Sequence, residues 1–195
     1  MSLKRSVDLV LASLALLVAL PLFLALALAI RIESSGPVVF TQLRTGQHGR
    51  RFRMFKLRTM VANAEELKAE LAHLSILPPP DFKVVDDPRI TRVGRFLRAT
   101  SLDELPQILN VFKGDMSLVG PRPTSFAPST YELWHTARLE VRPGITGLWQ
   151  VFGRNTTTFD ERLRMDVRYI EEMSLSLDIR LMWLTIRSVS SRKGA

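Results

Sequence analysis

The sequence predicts an α+β chain, mainly helical, in which a membrane-embedded N-terminal segment precedes a domain lying on the membrane surface. Three observations predict it. The stretch LVLASLALLVALPLFLALALAI, Leu9–Ile30, is 22 residues long with Ser13 as its single polar side chain. The next stretch contains β-prone residues on both sides of Gly46 and Gly49, the pattern of a small β-hairpin. Two late segments, FDERLRMDVRYIEEM and SLDIRLMWLTIRSV, repeat apolar residues at helical spacing. The expected boundaries are 1–33 for the membrane element and 34–195 for the domain.

The membrane element needs the most justification. As a helix the apolar run is ~33 Å long, enough to cross a bilayer core. It is too long for a cleaved signal, and RIESSGP after it is no small-residue cleavage site. Basic residues flank both ends: Lys4 and Arg5 before, then Arg31, Arg44, Arg50, Arg51 and Arg53. The positive-inside rule wants both ends on the cytoplasmic side, which a straight span cannot satisfy. Pro21 sits near the middle, where it can bend the rod. The expectation is a re-entrant helix-break-helix that turns at Pro21 and returns, although spanning helices also tolerate proline.

Composition narrows the partners. Lys and Arg number 27 against 19 Asp and Glu in 195 residues, a formal charge of +8. Nucleic acid, phosphorylated substrates and acidic lipid are the anionic candidates. With no cysteine, disulfides and thiolate chemistry are excluded. His48, His73 and His135 have no metal-ligand spacing. From Ser34 to Ala64 there is no acidic residue. If RMFKLRT is extended, Lys56 and Arg58 share a face. ANAEELKAELAHL reads as an amphipathic helix with Leu67, Leu71 and Leu74 on one side. DDPRITRVGRFLRATS reads as loop leading Arg95 and Arg98 towards an acidic pair.

That pair is in SLDELPQ. Ser101 with Glu104 is a capping box, and acids suit the first turn of a helix running to about Phe112. TFDERL repeats the pattern with Thr158, Asp160 and Glu161, so the pattern alone favours structure over chemistry. Pro106 strains this bland reading, because it disturbs the first turn of the helix. A helix N-terminus also binds phosphates, and an acid pair there can hold a divalent cation. Downstream, Arg122 stands between Pro121 and Pro123 on stiff backbone, a guanidinium that loses little entropy on gripping a phosphate. A plain polyproline linker fits equally well. Arg142 precedes a Pro-Gly turn and Arg154 follows it. The last amphipathic segment, with Trp183 between Arg180 and Arg187, suits a membrane interface.

Taken in order, these segments resemble the bacterial sugar transferases, the monotopic polyprenyl-phosphate phosphoglycosyltransferases. The resemblance covers nearly the whole length. It rests on the Pro-interrupted apolar segment, FKLRTM, DPRITRVGRFLRATSLDELPQ, GDMSLVGPRP, RPGITGLWQV, GRN and LDIRLMWLT. It implies the compact catalytic form, without the extra N-terminal spanning helices of larger members. It further implies transfer of a phosphosugar from a nucleoside-diphosphate sugar, usually a UDP-sugar, to undecaprenyl phosphate, with UMP released. By motif Asp103 would be the nucleophile and Glu104 would be associated with Mg²⁺. Lys56, Arg98 and Arg122 would belong to the active site, with Arg58, Arg142 and Arg154 as further phosphate contacts. The expected location is the cytoplasmic face of the bacterial inner membrane, with the bilayer, polyprenyl phosphate and a nucleotide sugar as partners and an oligomer left open. A membrane-tethered nucleic-acid module is the rival from another class, but no nucleic-acid motif is present. A non-enzymatic membrane scaffold is the other rival, against which the Asp103–Glu104 context argues.

Overall fold

The structure, a computed structural model, describes residues 3–76, 84–127, 129, 132–153 and 158–190. Its first element, α1, runs from Leu3 to Glu33. The expected division into two helices at Pro21 is not present, because the helix continues through that residue. A proline deletes one helical hydrogen bond, and in a run of Leu and Ala the neighbouring turns carry the helix on.

One stripe of α1 is docked. Asp8, Ala12, Leu26 and Ile30 are buried, and Leu16 and Phe23 pack on the same interior. Spacings of three, four and seven place these residues on one face. The other faces are apolar and open: Leu14, Leu17, Val18 and Leu24 are each more than half exposed. Both ends of α1 are tied to the same body. Lys4 donates to the carbonyl of Val119 (3.2 Å) and pairs with Asp178 (2.6 Å). The Ser117 hydroxyl donates to Asp8 at 2.7 Å. At the far end Glu33 accepts from the backbone N–H groups of Arg92 (2.7 Å) and Val93 (2.9 Å).

The hairpin appears as predicted. Strands β1 (Val39–Thr45) and β2 (Arg51–Leu57) are antiparallel, with Val39 opposite Leu57. On the other side of β2 lies Asn110, from helix α4 (Gln107–Lys113). Its side-chain amide donates to Arg53 O (2.8 Å) and accepts from Phe55 N–H (3.0 Å). One side chain thus does for β2 what a further strand would do. The predicted amphipathic helix after the hairpin is shorter than expected: α2 spans Glu66–Glu70, and a 3-10 turn follows at Ala72–Leu74.

The stretch read as loop before the acidic pair is helical. Helix α3 covers Arg92–Thr100, with the Thr91 hydroxyl accepting from Gly94 N–H. Beyond this local cap, its first turn is completed by Glu33, some sixty residues away in sequence. Gly94 lets α3 lie against the chain at Thr59, where a Cβ would come within 2.0 Å of a carbonyl oxygen. A second sheet, unforeseen in the sequence, pairs β3 (Ser117–Val119) with β4 (Gly144–Thr146) in parallel.

Short helix α5 (Leu148–Phe152) leads towards α6 (Phe159–Glu171) and α7 (Leu175–Ser190). The last two match the predicted helices closely. The Tyr169 hydroxyl on α6 donates to Asp178 on α7 at 2.7 Å and lies 3.1 Å from Val119 O. On α7 Leu181 is buried, while Ile179, Trp183 and Ile186 form an open apolar stripe at helical spacing. Three interior clusters result. Ala12 packs with Phe52, Met54, Ile108, Val111 and Met116. Leu26 and Ile30 pack with Leu57 and Leu97. Val119, Tyr169 and Leu181 form the third.

Candidate active site

The acidic pair sits on one turn of 3-10 helix, Leu102–Glu104, between α3 and α4. In a 3-10 turn, residues three apart fall on one side. Leu102 and Leu105 both pack on the Leu57–Leu97 cluster, which leaves Asp103 and Glu104 to the other side. The expected capping box is absent. Ser101 is left-handed (φ 57°, ψ 17°), ends α3, and makes no side-chain cap bond. The α4 helix begins only at Gln107, after Pro106. Asp103 and Glu104 are therefore not at the N-terminus of a long helix.

Three other elements bring cations to this turn. Lys56, near the end of β2, lies 3.0 Å from Glu104 Oε1 and 3.6 Å from Asp103 Oδ2. Arg122, just beyond β3, reaches Glu104 Oε1 at 2.5 Å and Oε2 at 3.4 Å. Arg98, in the last turn of α3, donates from Nε to the Thr59 hydroxyl at 2.9 Å, and its charge acts on Asp103.

The two carboxylates are treated unequally. Burial would raise the Glu104 carboxyl, but the charges of Arg122 and Lys56 and their hydrogen bonds hold it at about 2. Asp103 is pushed the other way. Burial raises its carboxyl above the ordinary range, Lys56 opposes this, and the Glu104 charge adds to the rise. Among the described residues Asp103 accepts no hydrogen bond. No long helix begins at Asp103, and the charges of Lys56, Arg98 and Arg122 oppose the effect of its burial.

The remaining expected contacts divide. Arg58 does not turn to the pair. It is buried, and its guanidinium donates to the carbonyls of Ser34 (2.7 Å) and Ser35 (2.5 Å), holding the chain that leaves α1. Strand β2 ends at Leu57, so the alternation that would align Arg58 with Lys56 stops there. Arg142 lies on the approach to β4, partly buried and without a side-chain partner among the described residues. Arg154 lies outside the described residues.

Oxygens suited to a metal remain. Among the described residues Glu104 Oε2 has only the long Arg122 contact, and both Asp103 oxygens lack hydrogen bonds. No group of three acidic or histidine side chains suited to a metal occurs among the described residues. That donor set fits Mg²⁺, which takes one or two carboxylates and completes its shell with water and substrate phosphate.

Sequence reasoning passed over a buried pair behind Arg122. Arg138, in the 3-10 segment Leu133–Leu139, donates to Arg122 O at 2.5 Å and pairs with Asp166 of α6 at 2.6 Å. Burial pushes the Asp166 carboxyl up to about 7 against the pull of Arg138 and Arg162. Its signal was available: Asp166 shares the apolar face of Leu163 and Ile170, where a charge needs a buried partner.

With the geometry in place, comparison with known proteins places the chain. It belongs to the bacterial sugar transferase family, whose family model matches residues 1–192. It is 47% identical over 167 residues to the galactosyl transferase CpsE of Streptococcus agalactiae, covering 84% of this chain and 37% of that protein. It is 44% identical over 198 residues to the undecaprenyl-phosphate galactose phosphotransferase of Salmonella typhimurium, covering 99% and 41%. With the UDP-glucose:undecaprenyl-phosphate glucose-1-phosphate transferase of Caulobacter vibrioides it shares 41% over 201 residues, covering 98% and 71%. The chain thus spans about two fifths of the length of the first two relatives.

Proposed function

We propose that this chain transfers a sugar phosphate from a UDP-sugar to undecaprenyl phosphate, releasing UMP, as the first membrane step of surface-glycan assembly. The observation that carries this reading is the contrast between neighbouring carboxylates. Glu104 is locked by Lys56 and Arg122, whereas Asp103 has cations around it and no hydrogen bond to give up. An anion poised in that way suits attack on phosphorus. The relatives named for transfer to undecaprenyl phosphate support the acceptor, and the one named for UDP-glucose supports the donor class.

Two displacements account for the transfer. An Asp103 oxygen attacks the sugar-bearing phosphorus, and the bond from that phosphorus to the UMP oxygen breaks, UMP leaving with the electron pair. The sugar phosphate is then a mixed anhydride on Asp103. A phosphate oxygen of the lipid attacks the same phosphorus, and Asp103 departs as carboxylate. Lys56 favours the ionised form of Asp103. Arg98 and Arg122 meet charge on the phosphoryl oxygens. Glu104, with Asp103 beside it, would hold Mg²⁺, which supplies charge neutralisation on the donor diphosphate.

The reading includes a re-entrant course for α1, with Pro21 bending the helix rather than ending it and both ends on the cytoplasmic side of the inner membrane. Its support is that Lys4 and Asp8 at one end and Glu33 at the other dock on one body. A helix crossing a bilayer would place those ends on opposite faces. The open apolar faces of α1 and the Ile179–Trp183–Ile186 stripe of α7 would enter the lipid.

The test is UMP release from a panel of UDP-sugars on adding undecaprenyl phosphate, with radiolabelled sugar trapped on the protein before the lipid is added. Label that persists in Asp103→Asn would exclude the covalent route. Single cysteines at Ser6 and Ser35 should both resist an impermeant thiol reagent in intact cells. Labelling of Ser6→Cys there would establish a crossing helix.

A further inference from the structure

The pair Arg138–Asp166 lies outside the carboxylate cluster, yet it grips the residue that locks Glu104. Arg122 stands between two prolines, so its backbone has few conformations and Pro123 offers no N–H of its own. The carbonyls of this loop are held one by one. Pro121 O accepts from Gly144 N–H at 2.9 Å, and Thr124 O accepts from Thr45 N–H at 2.9 Å. Arg122 O, on the residue whose side chain enters the site, accepts from Arg138 at 2.5 Å. Arg138 is itself ion-paired with Asp166 at 2.6 Å, a charge contact in which neither Asp166 oxygen accepts a hydrogen bond among the described residues, and both side chains are buried, at 5% and 1% exposure.

Burying a guanidinium is costly unless a counter-charge accompanies it. Asp166 provides that charge from α6, whose own apolar face would otherwise carry a hydrophobic residue at this position. The result is a continuous connection: α6 carboxylate, Arg138, the Arg122 carbonyl, the Arg122 fork and Glu104. We propose that Arg138, held in place by Asp166, is a positioning residue that sets where the Arg122 fork meets Glu104 and the donor phosphates. The donor part rests on the transferase reading above; the Arg122–Glu104 part does not.

A double-mutant cycle tests this on the full chain. Arg138→Met with Asp166→Asn removes both charges together, so no unpaired charge stays buried. If Arg138 acts through Arg122, this change lowers kcat/KM for the UDP-sugar roughly 10- to 100-fold, the scale of a small misplacement of a binding group. In an Arg122→Gln background it then lowers kcat/KM by less than about threefold. Equal losses in both backgrounds would show a role unrelated to Arg122 and overturn the proposal. Should the paired change prevent folding, Asp166→Asn alone serves the same cycle, with a smaller loss that again disappears beside Arg122→Gln. Thermal stability provides a readout that needs no substrate. Combining the Arg138 and Asp166 changes with Glu104→Gln should shift Tm by clearly less than the separate shifts added together. Additive shifts would refute the positioning role. UMP release absent from the unaltered protein with coupling still present would instead count against the transferase reading alone.

Discussion

The chain contains one pattern twice, and the two copies fold differently. At Thr158–Glu161 the capping box closes: Glu161 N–H donates to the Thr158 hydroxyl, and Glu161 accepts from Thr158 N–H at 2.7 Å. Glu161 is exposed and serves only its own helix. At Ser101–Glu104 the same residue types leave the local solution unused. Ser101 is taken as the left-handed end of α3, Pro106 delays α4, and Glu104 turns inward to Lys56 and Arg122. A cap contributes about 1 kcal/mol. Two partly buried cations offer a carboxylate more than that, so tertiary charge decides where local chemistry is balanced.

Breaking the acids should separate the copies most. Asp103→Asn is expected to reduce turnover at least ~10³-fold by removing the nucleophile. Its counterpart Asp160→Asn, on the exposed start of α6, should leave UMP release within about twofold of normal, as for surface changes in general.

Acid stability should separate them next. Glu104 falls from an ordinary value near 4.5 to about 2 on folding. A depressed carboxylate contributes stability that is present above the unfolded value and lost as pH falls through the folded one. Over that window Glu104 contributes about 3 kcal/mol. Denaturant titrations between pH 5 and pH 2.5 should therefore show a flatter acid limb for Glu104→Gln than for the unaltered protein. Glu161, also lowered by its Thr158 hydrogen bonds but exposed to solvent, should flatten that limb less when changed to Gln.

A third contrast concerns Asp103, whose raised carboxyl predicts an acid limb of kcat/KM above the usual aspartate range. Lys56→Gln removes the strongest opposing charge, so that limb should move to higher pH. A limb that stays in place would mean that another group sets it. The smallest effect is at the caps. Thr158→Ala should cost about 1 kcal/mol in urea titrations. Ser101→Gly should be neutral or stabilising by up to about 1 kcal/mol, because φ 57° favours glycine.

Much of this was legible in the sequence because it is periodic or close in the chain. The apolar run, the hairpin around Gly46 and Gly49, and helices α6 and α7 follow from local pattern. So does the gathering of Lys56, Arg98, Asp103, Glu104 and Arg122, once the family resemblance is seen. What escaped depends on distant partners. Helix α3 draws on Glu33, β3 pairs with residues 27 positions further on, and Asn110 replaces a strand. Arg58 sits in the right motif but is consumed by Ser34 and Ser35. Asp166 was visible as a charge on an apolar face, yet its partner Arg138 could not be named without the fold.

The docking of α1 at both ends has a consequence for how this protein is made. Lys4 meets Asp178, a partner synthesised 174 residues later. The contact at Lys4 can therefore close only after Asp178 of α7 has been made. Ala12, Leu26 and Ile30 also fill two of the three interior clusters. Removing α1 would thus not leave the rest of the fold intact. It would strip one side from the clusters that β2, α3 and α4 share, turning apolar surface to water beneath the acidic pair. Helix α1 is a wall of the folded body, and the interior beneath the site closes only once segments far apart in the chain have met.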